Sequence, residues 1–201
     1  MISGRDTIYL DPSAVKDMPP QSYNTTEIKP GKSYTVRELL YHTIVNSDNH
    51  STYLLNANMN IPAFYKLFAD LGFPTPNLSD NNYQITSADY FKFIRILFNS
   101  SYLSRKNSEY ALDLLSKSTF NDGLSKYIPK EITVAHKFGE YGSPSTVFQK
   151  QLHESGIVYL NNYPYLITIF TGGNRLEDLP PVISTLSKAV YDFMVGLDKP
   201  A

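Results

Sequence analysis

The stretch Val45-Asn46-Ser47-Asp48-Asn49-His50-Ser51 follows one apolar helical pattern and precedes another, and the interpretation of the chain starts there. Taken alone, Ser-Asp-Asn is a good turn and helix N-cap sequence, because these side chains bond nearby backbone groups. About ninety residues later comes His136-Lys137-Phe138-Gly139-Glu140, in a predicted strand that a turn follows. A Lys on a strand usually lies on a solvated face or protects an edge. The order and spacing of the two stretches are therefore more informative than either alone.

Residues 34–131 are dominated by helical patterns. Thr35 and Glu38 have the spacing of a capping box, which predicts a helix from about Val36 to Asn46. N-cap residues and apolar spacing predict four further helices, over residues 51–58, 61–69, 86–98 and 105–116.

Residues 132–201 change to strand chemistry. β-Branched and aromatic residues predict strands over 133–138, 156–160 and 165–171, with a hairpin turn at Asn161–Pro164. The chain then closes with an amphipathic helix over 182–197, whose apolar positions are Val182, Leu186, Val190 and Met194.

Residues 1–33 are rich in Pro, Asp, Asn and Ser and are predicted to form an irregular lead-in without a strand of its own. Helices, then an antiparallel meander, then a final helix indicate the α+β class, in a single domain over 1–201. A sheet of three strands with one covering helix is small for a chain of 201 residues. We therefore expect that an N-terminal part of the domain is missing.

Composition excludes several functions. Lys and Arg number 18 against 19 Asp and Glu, so neither nucleic acid nor an anionic membrane surface is an expected partner. No apolar run approaches the roughly 20 residues of a membrane helix, and no export signal is visible. Cys is absent, which removes thiolate chemistry. We expect no metal and no cofactor, because the four His residues lack metal-site spacing; they are His42, His50, His136 and His153.

The two stretches resemble motifs of the serine β-lactamases and penicillin-binding proteins, which use Ser-x-x-Lys, then Ser-Asp-Asn, then Lys-Thr/Ser-Gly. Ser47-Asp48-Asn49 is similar to the second motif and Lys137-Phe138-Gly139 to the third. The run Tyr34–Leu40, the helix start at Thr86, and the hairpin and long helix after the third motif also resemble class A β-lactamases. The resemblance covers nearly the whole chain and implies a helical region packed on an antiparallel sheet.

Three departures from the family are visible. The only Ser-x-x-Lys is Ser13–Lys16, and Pro19-Pro20 directly after it would stop the long helix that this motif opens in the family. The nucleophile and one oxyanion amide are therefore expected on the missing N-terminal part. Residues 71–88 contain Asp80 but no Glu that could serve as the deacylating base of class A enzymes. Phe138 replaces a small hydroxyl residue, which leaves the substrate carboxylate to Lys137, helped by His136 or Thr171.

The resemblance implies a role for each matching residue. Ser47 would relay a proton to the leaving nitrogen, Lys137 would supply positive charge, and Asp48 would brace the turn. Substrate binding would fall to Asn49, Gly139, the amide of Glu140 and Thr171. The implied partner is a β-lactam or a peptidoglycan stem peptide, outside the cytoplasm.

Two alternatives stay open. The chain could be a binding or structural module that keeps the fold without catalysis, as Phe138 and the missing Glu suggest. Ser13 or Ser47 could also be the nucleophile of an unrelated hydrolase, although the sequence identifies no base for either.

Overall fold

The computed structural model describes residues 6–18, 21–23, 28–78, 83–142 and 150–197. The predicted order of helices, sheet and final helix is confirmed, as is the α+β class. The helices are α1 Pro12–Val15, α2 Val36–Val45, α3 Asn49–Ala57, α4 Ile61–Leu71, α5 Ser87–Phe98, α6 Arg105–Leu115 and α7 Leu179–Leu197. The strands are β1 Thr7–Tyr9, β2 Ser33–Thr35, β3 Val134–Tyr141, β4 Lys150–Val158 and β5 Tyr165–Gly173.

The helices begin where the sequence supplies caps. Thr35 and Glu38 form the predicted capping box at the start of α2. The hydroxyl of Thr86 accepts the N–H of Asp89 at the start of α5. Gly72 ends α4 with φ of 69°, a left-handed conformation that Gly adopts without strain.

The main sheet has the order β3-β4-β5, with both pairs antiparallel. One face of it packs in a core with α7 and with the segment before β3; its members include Phe120, Leu124, Val134, Phe138, Leu152, Val158, Ile167, Leu179 and Ile183. β4 begins at Lys150 and not at the predicted Gly156. The prediction was wrong there because the first half of the strand contains a single apolar residue, Leu152, and so shows no strand pattern in the sequence.

The lead-in contains the strand β1, so the prediction that residues 1–33 have no strand of their own was wrong. β1 pairs with β2, with Thr7 opposite Thr35, and so ties the lead-in to the start of α2. A small second core lies beneath this pair and includes Leu10, Val15, Ile28, Leu39 and Leu54. Strands of three residues are too short to show a period in the sequence, which is why they were missed.

β5 is an edge strand of the main sheet, because among the described residues it pairs only with β4. α7 packs over β5 and β4 and buries Leu179, Ile183 and Ser187. Three of the four apolar positions singled out from the sequence instead belong to an exposed stripe on α7, made of Val182, Leu186, Val190, Phe193 and Leu197. In the described part of the chain, no helix has the length and hydropathy of a membrane span.

Candidate active site

Ser47 lies in the tight turn between α2 and α3. Its φ is 55°, a left-handed conformation that is uncommon for a residue with a Cβ. Asp48 follows it and is fully buried. One carboxylate oxygen accepts the N–H of Ser51 at 2.6 Å and caps α3, while the other accepts the N–H of Ile28 at 2.9 Å. Asp48 thereby fixes the turn that presents Ser47.

Lys137 reaches this turn from the edge strand β3. Its Nζ donates to the Oγ of Ser47 at 2.5 Å and to the carbonyl oxygen of Phe138 at 2.8 Å. The two motif residues that the sequence singled out as catalytic are thus in direct contact, although 90 positions separate them.

The ammonium group of Lys137 is largely removed from water. Burial lowers the pKa of Lys137 to about 8, against the opposing effect of the nearby Glu154 and Glu140 carboxylates. An amine with such a pKa is still mainly protonated at neutral pH, yet it exchanges a proton far more readily than an exposed Lys. Lys137 can therefore supply positive charge and also take part in proton transfer.

A cavity of about 600 Å³ opens beside Lys137, and Gly139 and Glu140 of β3 line it as well. Gly139 is exposed, and a Cβ placed there would meet no atom within 4 Å, so packing does not require glycine at this position. The rest of the wall is mostly aromatic: Tyr83, Tyr90, Tyr141, His153 and Phe170. Such a cavity suits a ligand with an apolar body and a few polar groups.

The segment Gln21–Tyr23 of the lead-in crosses the site, which the sequence did not reveal. The Gln21 amide donates to the carbonyl oxygen of Ser47 at 2.8 Å, and the N–H of Ser22 donates to Glu140 Oε1 at 2.8 Å. The second oxygen of Glu140 is buried and has no hydrogen-bond partner among the described residues. Polar residues in an irregular segment carry no signal for such contacts.

Phe138 replaces the expected hydroxyl with a core side chain. Its ring is 4% exposed and lies 4.4 Å from the ring of Phe120, and the ammonium of Lys137 lies 4.5 Å from its centre. His136, on the same side of the strand, is buried and bonds Glu154, with 2.5 Å between Nδ1 and Oε1. The expectation that His136 helps to bind a carboxylate is therefore wrong, because its ring is committed to the core.

Three other candidates lie away from the cavity. The hydroxyl of Thr171 donates to the carbonyl oxygen of Leu152 at 2.5 Å, so it serves the sheet and does not line the cavity. Asn49 is exposed on α3 and lines a separate cavity of about 360 Å³. The hydroxyl of Ser13 donates to Asp11 at 2.7 Å on the surface, and α1 ends two residues later. The structure thus brings together Ser47, Lys137, Gly139 and Glu140.

The arrangement suits acid–base chemistry. A Ser hydroxyl bonded to a buried ammonium can pass a proton to a leaving atom, and the ammonium attracts an anionic ligand. Among the described residues, no three His, Asp or Glu side chains are grouped so that they could bind a metal ion.

Comparison with known proteins gives a family match and solved structures of similar fold. The model of the Beta-lactamase enzyme family matches residues 2–194. No curated protein matches the sequence. A β-lactamase from Chitinophaga pinensis is similar in structure, with a TM-score of 0.76 at 18% identity, over 96% of this chain and 77% of the other.

Two further solved structures have the same fold. A class A β-lactamase from Bacteroides cellulosilyticus gives a TM-score of 0.74 at 21% identity, over 96% of this chain and 75% of its own. A variant of PBP-A, solved as an acyl-enzyme complex with penicillin G, gives 0.75 at 17% identity, over 97% of this chain and 74% of its own.

Proposed function

This chain belongs to the Beta-lactamase enzyme family and is a β-lactamase-like serine hydrolase domain, and we propose that it recognises a β-lactam or a peptidoglycan stem peptide during serine acyl transfer. The observation that supports this proposal most directly is the hydrogen bond between Lys137 and Ser47 beside the aromatic cavity. Opening an amide requires a proton for the leaving nitrogen, and binding these substrates requires a cation for their carboxylate.

Each residue then has a part in the reaction. Lys137 attracts the substrate carboxylate, and Ser47 of the Ser-Asp-Asn motif passes a proton to the leaving nitrogen. Gly139 leaves room for the ligand, and the amide of Glu140 donates to the developing oxyanion. Asp48 acts indirectly, by fixing the turn that presents Ser47. Asn49 is retained as a candidate for the substrate amide.

The nucleophile in this proposal comes from a segment outside residues 1–201. The open edge of β5 and the exposed apolar stripe of α7 support it, because both are surfaces that domains normally cover. That segment would complete the sheet and bring the Ser-x-x-Lys motif to Ser47. The family resemblance favours a location outside the cytoplasm.

Reversible binding tests the recognition step in the chain as it exists. In ¹⁵N-labelled protein, benzylpenicillin should perturb the amide signals of Gly139 and Glu140, and Lys137→Met should remove the effect. Lys188→Met is the matched control, because Lys188 is an exposed Lys on α7. The absence of any perturbation in the native chain, or an equal one in Lys137→Met, would contradict the proposal.

Intact mass after incubation with the same penicillin tests the origin of the nucleophile. We expect no covalent adduct on this chain. An adduct on Ser47 or Ser13 would overturn the assignment of the nucleophile to another segment and make this chain an acyl enzyme by itself.

A second candidate function is a module that binds the same ligands without catalysis. Phe138 favours it, because the side chain that replaces the family hydroxyl is committed to the core. The gene upstream of residue 1 separates the two: a Ser-x-x-Lys that opens an apolar helix supports the enzyme, and its absence supports the module.

A further inference from the structure

A buried carboxylate lies directly behind the edge strand of the site. Glu154 on β4 is 1% exposed and faces Phe138 across the strand pair. Its Oε1 bonds Nδ1 of His136, and its Oε2 accepts the N–H of Leu124 at 2.8 Å. Both oxygens are satisfied, and together they connect β3, β4 and the segment that leads into β3.

The fold leaves space for this group and for little else. A Cβ at Gly123 would lie 1.7 Å from Glu154 Oε2, and a Cβ at Gly156 would lie 2.7 Å from the Cβ of His136. Two glycines therefore flank the pair at positions where any other residue would displace it. The carboxylate is therefore part of the core, and the surrounding backbone is shaped to accommodate it.

Stability alone does not account for such a pair. Removing a carboxylate and an imidazole from water costs free energy. A protein with apolar residues of similar size in place of such a pair is often equally stable or more stable. The surroundings of Glu154 would suit such a replacement, since Phe120, Leu124 and Leu152 pack in the same core. A role beyond packing is therefore indicated.

The neighbouring residue suggests that role. His136 precedes Lys137 on β3, so any shift of His136 moves the backbone from which Lys137 reaches Ser47. The Glu154 carboxylate is also the largest of the influences that keep the pKa of Lys137 from falling further. Glu154 is thus connected to Lys137 both mechanically and electrostatically.

We propose that Glu154 is a positioning residue, which acts through His136 and the Leu124 amide to fix edge strand β3 with Lys137 on Ser47. The inference rests on the proposed function only because that function makes Lys137 the residue that attracts the ligand. Glu154 belongs to the wall of the cavity, but both of its carboxylate oxygens are committed to His136 and to the Leu124 amide, so we assign it no direct part in the reaction.

The test separates positioning from packing by two variants. Glu154→Gln keeps the shape and removes the charge, while Glu154→Leu replaces the carboxylate alone with an apolar group and leaves His136 in place. The primary readout is the ¹³Cε titration of Lys137, assigned with Lys137→Arg, which needs no ligand. We expect the midpoint to fall by about one pH unit in both variants, because a nearby opposite charge is lost. Glu131→Gln, an exposed acid just before β3, is the control and should not shift it.

The second readout is penicillin binding, which should weaken at least fivefold in both variants while circular dichroism remains native. Unchanged titration and binding in a folded Glu154→Leu or Glu154→Gln protein would overturn the positioning role and leave only packing. If the native chain binds no penicillin, the titration, which needs no ligand, still tests whether Glu154 is coupled to Lys137, so the two proposals fail separately. Should Glu154→Leu not fold, Glu154→Gln alone carries the test, because it keeps the shape of the side chain and removes only its charge.

Discussion

The Nζ of Lys137 and the Oγ of Ser47 share a hydrogen bond of 2.5 Å that joins the edge of the sheet to the turn between α2 and α3. To make it, the ammonium group gives up most of its hydration, and its pKa falls to about 8. The burial of this ammonium group therefore opposes folding at neutral pH, and this effect on stability depends on pH in a predictable direction.

The stability of the native chain relative to Lys137→Met should rise between about pH 8 and 10.5. In this window the unfolded Lys keeps its proton while the folded one releases it, so the unfolded state binds more protons and unfolding becomes less favourable as pH increases. The gain should be at most about 3 kcal/mol. Urea denaturation of both proteins across this range measures it. A difference that stays constant across this range would contradict the low pKa of Lys137.

The free energy of unfolding of Ser47→Gly should exceed that of Ser47→Ala by about 1 kcal/mol. Both variants lose the hydroxyl, but only glycine relieves the left-handed backbone at this position. Denaturation midpoints compare them. Ser100 has φ of 51° and provides a control away from the site, where the same order should appear. Equal stability at position 47 would refute the left-handed turn.

Asp48→Asn should destabilise the chain by about 2–3 kcal/mol. The amide can still cap α3, but it cannot also accept the N–H of Ile28, which is buried. Asn60→Ala, which removes the exposed cap of α4, should lose only about 1 kcal/mol. Similar losses in chemical denaturation would mean that the bond to Ile28 contributes nothing.

Two glycine substitutions should behave in opposite ways. Gly123→Ala should destabilise the fold by about 2 kcal/mol or more, because its methyl group meets Glu154. Gly139→Ala should leave stability within about 0.5 kcal/mol and still weaken penicillin binding, because its methyl group enters the cavity. Thermal unfolding and ligand titration of the two variants measure both effects. Unchanged binding in Gly139→Ala would place the ligand elsewhere.

Local chemistry made much of the fold predictable from the sequence. Thr35 and Glu38 form a capping box whose contacts are only three residues apart, so the start of α2 is encoded locally. Ser47 and Lys137 could be singled out for another reason, since each lies in a stretch that resembles a motif of the serine β-lactamases; their contact is a finding of the structure. Neither inference required knowledge of packing.

The interior charge was not predictable in the same way. Glu154 reads as a polar residue before an apolar run, and only its place in the inward alternation of Leu152, Gly156 and Val158 could have indicated burial. The side of the sheet on which Thr171 lies was not predictable for a related reason. A strand residue can face either side, and the register with Leu152 decides which.

The burial of Phe138 also ties the third motif to the packing of the core. Its ring fills space against Phe120 and Tyr23, so replacing it with Thr to restore the family hydroxyl would open a void in the core. Such a replacement would need a compensating enlargement at one of these neighbours to refill the void. The chemistry of the motif and the density of the core therefore cannot be altered independently at this position.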